Sequence, residues 1–202
     1  FGTENLADRL DQIIVPDEVA DDAKNFIETR DLFFLTTVDH RGYPTCSYKG
    51  GNPGFVKVLD NKTLAFPNFD GNGMFLSMGN LTANNKIGLL FIDFETPHRI
   101  RIHGTASIDR NDPLLAEFHG ANLVRVVVTE TFVNCPRYIH KYQRIGPSIY
   151  VPQESCPTPP AQWKRIDAVQ DALPERDKTI AESHGGVITP EEYGEMLMKG
   201  EA

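Results

Sequence analysis

The sequence predicts a mainly β, α+β fold in which six to seven antiparallel strands form a small barrel with flanking short helices. Apolar, β-branched segments follow one another at hairpin spacing, and turns rich in glycine and asparagine separate them. The strand–helix alternation of a doubly wound fold does not occur. A closed barrel suits this many antiparallel strands because it leaves no strand edge exposed.

The first half of the chain contains a helix and two hairpins. Asp17 is predicted to cap a helix that ends near Arg30, because apolar residues recur through this segment at helical spacing. Two hairpins follow, each with a short polar turn. Their predicted strands are residues 32–38, 43–49, 55–59 and 63–66.

The second half alternates less regularly between helix and strand. Met74, Met78 and Leu81 lie at helical spacing and predict a short helix that packs all three on the core. The strand 86–94 is nearly all apolar and is expected to be covered on both faces. The remaining elements are predicted at 98–107 (strand), 113–120 (helix, after Asp112) and 124–133 (strand).

A change in amino-acid composition near residue 142 predicts that the chain has two parts. Residues 1–142 form the barrel domain with its N-terminal helix. Residues 143–202 begin with a proline-rich, extended arm and end in helices at 163–172 and 191–199, which are expected to pack on the barrel or on a dimer partner. Thr189 and Glu192 form a capping box at the start of the last helix.

Composition excludes several classes of function. The net charge of −8 disfavours binding to nucleic acid or to anionic membranes, since basic side chains supply most of that affinity. No apolar run reaches membrane-spanning length and no leader pattern is present, which favours a cytoplasmic protein. Three cysteines without a C-x-x-C and six histidines without ligand spacing indicate neither a disulfide framework nor a metal site.

Three features predict a site for an anion such as a phosphate. A strand of small polar residues ends with Ser47 and Lys49 beside a glycine-rich loop. Arg99 and Arg101 share one face of a later strand with His103, and arginine presents a rigid fork to phosphate oxygens. The third is a Gly/Asn loop, 70–73, that leads into a helix start. Each feature alone also fits a solvated strand end, a solvated sheet face or a simple turn, but the three are expected to lie close together.

Several of these segments, in this order, resemble the FMN-binding split β-barrel family related to pyridoxamine 5′-phosphate oxidase. The resemblance spans roughly residues 30–140, and its ordered combination is more specific than any single part. The segments that carry it are 35–38, 42–44, 65–68, 81–91, 99–106 and 134–138. It implies a homodimer that holds FMN between two split barrels.

Carried over by position, the resemblance places a flavin-contacting strand at 45–49 and a second at Pro67 and Asn68. It places the start of the phosphate loop at Ser77, a ring contact at Arg99 and a C-terminal tryptophan segment at Trp163. Together with the anion features, the candidate cofactor-binding residues are Thr45, Cys46, Ser47, Tyr48, Lys49, Pro67, Asn68, Asn72, Ser77, Asn80, Arg99, Arg101 and Trp163.

Two departures from the family pattern limit the expected activity. The oxidase has an Arg-Lys pair after its serine where this chain has Met78 and Gly79, and its final Arg-Leu-x-Pro is absent. Oxidation of vitamin B6 is therefore not expected, and no catalytic residue can be named. The expected function is an FMN-dependent oxidoreductase acting on a small molecule. The alternatives are a flavin carrier or haem-binding protein without turnover, and an interaction module without cofactor.

Overall fold

The structure is a computed structural model that describes residues 2–118, 122–153 and 157–202. The chain divides into two compact units, Phe1–Val151 and Pro152–Ala202. The predicted packing of the C-terminal part on the barrel or on a partner stays a prediction.

Seven antiparallel strands form one sheet in the first unit, in the order β2-β1-β5-β6-β7-β4-β3. This confirms the mainly β, α+β class. The strands are β1 (Leu32–Val38), β2 (Pro44–Gly50), β3 (Lys57–Asp60), β4 (Thr63–Asn68), β5 (Lys86–Asp93), β6 (His98–Asp109) and β7 (Asn122–Asn134). The expected closure is wrong for the described residues, because β2 and β3 remain at opposite edges of the sheet. A four-residue β3 and a proline at the start of β2 both limit pairing at these edges.

Side-chain alternation gives the sheet a core face and an open face. Ile100 and Ile102 of β6 are buried on the core face, and Arg99, Arg101 and His103 occupy the open face, as predicted. The strand β5 alternates in the same way, so the expectation that it is covered on both faces within one chain is wrong. The core contains a cluster of aromatic rings, with centroids 5.0–5.7 Å apart, formed by Phe33, Phe55, Phe66 and Phe91.

Two helices cover the core face, and one more precedes them. They are α1 (Glu4–Ile14), α2 (Asp21–Glu28) and α3 (Leu76–Ala83); α2 and α3 contribute buried residues to the core, and α1 contributes none.

Asp17 does not cap α2, which begins four residues later, because its carboxylate instead pairs with Lys62 Nζ at 2.5 Å. Met78 and Leu81 are buried, but Met74 precedes α3 and is 63% exposed, so its predicted place in the core is wrong.

A short 3₁₀ helix, Pro113–Glu117, replaces the helix predicted for 113–120. Asp112 caps it by accepting a hydrogen bond from the Leu114 N–H, and also forms an ion pair with Arg125 of β7. The predicted end at Gly120 lies outside the described residues, as does Cys156.

The second unit consists of short helical segments. They are the 3₁₀ helices Gln162–Arg165, Asp167–Ala172 and Glu175–Asp177, then α4 (Ile180–Ser183) and α5 (Pro190–Lys199). The helix predicted for 163–172 is interrupted because Ile166 is extended and forms a β-bridge with Ile188. The capping box of Thr189 and Glu192 is confirmed. None of the described helices is long and apolar enough to cross a membrane.

Candidate functional site

A cleft on the core side of the sheet gathers much of the predicted site. It has a volume of about 250 Å³ and lies where the ends of β2 and β4 meet the loop before α3. We name it the Ser47–Ser77 cleft. The candidate residues that line it are Ser47, Tyr48, Lys49, Pro67, Asn68, Asn72 and Ser77.

Strand register places the polar side chains of β2 beside α3. Thr45 lies opposite Thr37 of β1, and their hydroxyl oxygens are 2.8 Å apart. Asn80 of α3 donates from Nδ2 to both hydroxyls, at 3.0 and 3.1 Å. One strand step further along β2, Ser47 Oγ lies 2.9 Å from Ser77 Oγ. These contacts tie two strands to α3 and fix the two serines at the cleft.

The donors of the Ser47–Ser77 cleft fit an anion. Lys49 is half-buried with no ion-pair partner in the described ranges, and burial lowers the pKa of its amine. Asn68 is 3% exposed, and its Nδ2 has no hydrogen-bond partner. The amide groups that begin α3 at 76–78 also line the cleft and precede the first intrahelical donor, Gly79 N. A phosphate, whose oxygens accept several charge-assisted hydrogen bonds, is the kind of anion that suits such donors.

Backbone strain occurs where the loop enters α3. Phe75 has φ of 51°, in the left-handed region that residues other than glycine rarely adopt. Such outliers cluster at ligand sites, where the surrounding packing holds them. Here the kink lies directly before the first residues of α3, which line the cleft.

Met78 and Gly79 supply no charge where the family pattern has its basic pair. Met78 is part of the hydrophobic core, and a Cβ added to Gly79 would meet nothing within 4 Å. Among the described residues, Lys49 is the only cation that lines the cleft.

Arg99 and Arg101 lie in a second, larger cavity on the open face. Its volume is about 930 Å³, and we name it the β5–β6 cavity. Within one chain the sheet separates it from the Ser47–Ser77 cleft, so the anion features do not come together in a single copy, and their meeting across a dimer stays a prediction. The reason is register: Leu90 of β5 lies opposite Arg101, and Gly88 lies between His103 and Thr36 of β1, all on the open face.

Two further candidates lie apart from both cavities. Cys46 is exposed on the open face of β2, opposite Thr36. Trp163 belongs to the second unit, where its Nε1 is buried without a hydrogen-bond partner. No three His, Cys, Asp or Glu side chains of the described ranges come together as ligands for a metal ion.

Sequence reasoning missed two polar residues of these sites. Thr37 is fully buried and anchors Asn80, but it looks like an ordinary β-branched strand residue. Glu130 Oε2 accepts a hydrogen bond from Nδ1 of His103 at 2.9 Å across the β6–β7 pair. The sequence does show that His103 shares a strand face with the two arginines. Its partner Glu130 lies 27 residues further along the chain, and the register that pairs the two strands cannot be derived from the sequence.

Comparisons with known proteins identify relatives of the first unit. The family model described as pyridoxamine 5′-phosphate oxidase matches residues 19–138. Among curated proteins, none matches the chain significantly.

Three solved structures illustrate how partial the structural likeness is. A variant of HupZ from Group A Streptococcus is 24% identical, with 57% of this chain and 99% of that chain covered and a TM-score of 0.47. An FMN-binding protein from Syntrophomonas wolfei is 13% identical, with 65% and 93% covered and a TM-score of 0.47. HutZ, a haem storage protein from Vibrio cholerae, is 20% identical, with 57% and 94% covered and a TM-score of 0.41. Since every TM-score is below 0.5, none of these likenesses establishes a function.

Proposed function

Because the chain belongs to the pyridoxamine 5′-phosphate oxidase family, we propose that it binds FMN and acts as a flavin-dependent oxidoreductase on a small molecule. The observation that carries this proposal is the donor set of the Ser47–Ser77 cleft. Lys49 and the buried Asn68 amide lack partners, and they lie beside a pair of serine hydroxyls and the free amides of a helix start. This set suits the phosphate of FMN.

Lys49 takes the role of the basic pair that is missing at Met78 and Gly79. Its ammonium supplies the positive charge, and Ser47 and Ser77 supply hydroxyl donors. Because Lys49 is half-buried and unpaired, a phosphate compensates the desolvation of its charge.

The size of the cleft favours a cofactor shared between two chains. At about 250 Å³ it is smaller than the roughly 300–1,000 Å³ of pockets that enclose a whole ligand. It therefore holds the phosphate end of FMN and leaves the ring outside. The open face of a second copy, with Arg99 and Arg101, covers that ring in the proposed homodimer.

Bound FMN would supply the hydride chemistry, and the chain's own residues bind and orient it. Asn80 donates hydrogen bonds to Thr37 and Thr45 next to the two serines, so the hydroxyl donors lie on β2 and α3, which these contacts hold together.

The first experiment is an absorption spectrum and mass analysis of the purified protein. Absorption bands at about 375 and 450 nm, together with the mass of FMN, support the proposal. A Soret band with bound haem, or failure of the colourless protein to take up added FMN, contradicts it.

A second experiment separates an enzyme from a flavin carrier. Addition of NAD(P)H should bleach the flavin, and a small-molecule acceptor should restore its colour over repeated cycles. A protein that holds FMN but shows no such cycle with any acceptor is a carrier, and the oxidoreductase part of the proposal then fails.

A further inference from the structure

Two asparagines at neighbouring strand ends each have a buried polar atom without a hydrogen-bond partner. Asn68 ends β4 and Asn122 begins β7, and the register places them directly opposite each other. Among the described residues, neither Asn68 Nδ2 nor Asn122 Oδ1 has a partner. One atom is a donor and the other an acceptor, yet they do not bond to each other. Because buried polar groups are nearly always paired, we expect a third group to bridge this Asn68–Asn122 pair.

Strand alternation puts the Asn68–Asn122 pair on the core face of the sheet, next to the Ser47–Ser77 cleft. Asn68 lies two residues after the buried Phe66 of β4, and Asn122 lies two residues before the buried Val124 of β7. Directly opposite residues of this kind have their Cβ atoms about 4.5–5.5 Å apart. Asn68 also lines the cleft and is 3% exposed. The pair therefore lies at the wall of the cleft.

The two unpartnered atoms define the chemistry of the group that would bridge them. It has to accept a hydrogen bond from Asn68 and donate one to Asn122. The oxygens of a phosphate dianion only accept, so a phosphate alone leaves Asn122 Oδ1 without a partner. A hydroxyl group both accepts and donates. Since the Asn68 amide carries two hydrogens, it can bind a phosphate oxygen with one and a hydroxyl with the other.

We propose that Asn122 is a specificity-determining residue of the Ser47–Ser77 cleft, and that with Asn68 it brackets a hydroxyl on the carbon chain next to the ligand's phosphate. The ligand class is then a polyol phosphate rather than a simple alkyl phosphate. Because the ribityl phosphate of FMN is such a group, this inference deepens the proposed function and rests on the same cleft. The preference for a polyol phosphate does not require the flavin ring.

One other acceptor of the cleft competes for the same hydroxyl. Asp70 lines the cleft, and its Oδ1 accepts from the Gly73 N–H at 3.2 Å. A carboxylate also accepts from ligand hydroxyls, so a preference for polyols by itself does not identify Asn122. Variants of both residues are therefore needed.

The test is a phosphorus NMR titration of the flavin-free protein with ribitol 5-phosphate and with pentyl phosphate. The two probes have the same phosphate group and chain length, and only the first carries hydroxyls. We expect ribitol 5-phosphate to bind about tenfold more tightly, because the Asn68–Asn122 pair gains its missing partner. Equal affinity for the two probes, or no binding of ribitol 5-phosphate, overturns the proposal; a water molecule between the amides gives the first of these results.

Matched variants assign the preference to Asn122. Asn122→Leu keeps the approximate shape and removes the acceptor, so it should abolish the preference while pentyl phosphate binds as before. Its urea midpoint should not fall, since a buried oxygen without a partner is removed. Asn122→Asp keeps an acceptor and should keep the preference, although its charge weakens the binding of both probes. Asn111→Leu, at an exposed asparagine that lines neither cavity, should change nothing.

The outcomes for Asn122 and for FMN can be distinguished. A preference that persists in Asn122→Leu, or that is lost in Asp70→Asn instead, overturns the role of Asn122. FMN binding that is equally tight in wild type and Asn122→Leu also refutes that role and leaves the flavin function standing. A polyol preference that depends on Asn122, in a protein that takes up no FMN, refutes the flavin function and leaves this inference standing.

Discussion

Lys49 combines a cost to folding with the binding role proposed for it, and the two can be measured separately. Burial lowers the pKa of its amine from the usual 10.5, so the charged form is less stable in the folded protein than in the unfolded chain. Lys49→Met should therefore raise the free energy of unfolding of the flavin-free protein at pH 7. It should weaken FMN binding by about 10- to 100-fold, because a charge-assisted contact to the phosphate is lost.

The pH dependence gives this prediction an independent check. The unfolded chain holds the Lys49 proton up to higher pH than the folded protein does, so the cost to folding diminishes as the pH rises toward 10.5. Urea denaturation of wild type and Lys49→Met should converge over that range. A variant that is less stable than wild type at pH 7 and still binds FMN equally well would contradict both parts.

Gly104 is required by a close approach between β6 and β7. A Cβ at this position would lie 2.5 Å from Val126 Cγ1 and 2.6 Å from the carbonyl oxygen of Val127. Gly104→Ala should lower the free energy of unfolding by about 1–3 kcal/mol, measured by urea denaturation, because the backbone of β7 has to move. Gly88→Ala, whose Cβ would make only ordinary contacts at 3.7 Å or more, is the control. Equal stability of the two variants would show that the β6–β7 spacing is not limiting.

Individual site residues were predictable where their chemistry depends on local sequence. Ser47 and Lys49 follow from strand alternation beside a glycine-rich loop, and the structure places both in one cleft. Glu130 and Thr37 were not, because their roles depend on which strands become neighbours. A register shift at Gly104 decides that His103 faces Glu130.

At the scale of elements, strand positions could be predicted better than helix types. Period-two alternation placed Arg99 and Arg101 on one face and the isoleucines of β6 on the other, and the structure confirms it. The prediction that Met74 packs with Met78 and Leu81 on one helix face is wrong. Met74 has the right spacing, but it lies in a loop that the kink at Phe75 separates from α3. Asp112 was correctly placed at a helix start, but sequence alone did not distinguish a 3₁₀ turn from an α-helix.

Asp112 joins the 3₁₀ helix to β7 through Arg125. The hydrogen bond from Arg125 lowers the pKa of the Asp112 carboxyl below its usual 3.8, and so does the bond from the Leu114 N–H. This contribution to stability is present above about pH 4 and is lost as the pH falls through the lowered folded-state pKa.

Asp112→Asn retains a capping group and removes the ion pair. We expect it to be less stable than wild type at pH 7, with the difference shrinking as the pH falls below about 4, when Asp112 becomes protonated. Guanidinium denaturation at several pH values measures it. A difference that does not change with pH would assign the loss to packing rather than charge.

For the whole molecule, the two faces of the sheet are the decisive feature. The Ser47–Ser77 cleft and the β5–β6 cavity lie on opposite faces, and different segments of the chain line them. Composition and local pattern identified both groups of residues, but only the strand order β2-β1-β5-β6 separates them. One FMN molecule can reach both faces only if a second chain presents its open face.

A substitution on the open face therefore tests dimerisation and flavin binding together. Leu90 contributes to that face, so if the chain forms the proposed homodimer, Leu90→Asp should reduce the mass in solution from twice the 22.6 kDa of one chain to that of a monomer. FMN should be lost in parallel, although Lys49 and Ser77 are unchanged, because half of the ring's enclosure is removed. Leu6→Asp on the exposed face of α1 is the control. A monomeric Leu90→Asp that retains FMN would place the entire cofactor site within a single chain, and analytical ultracentrifugation with absorbance detection reports both quantities at once.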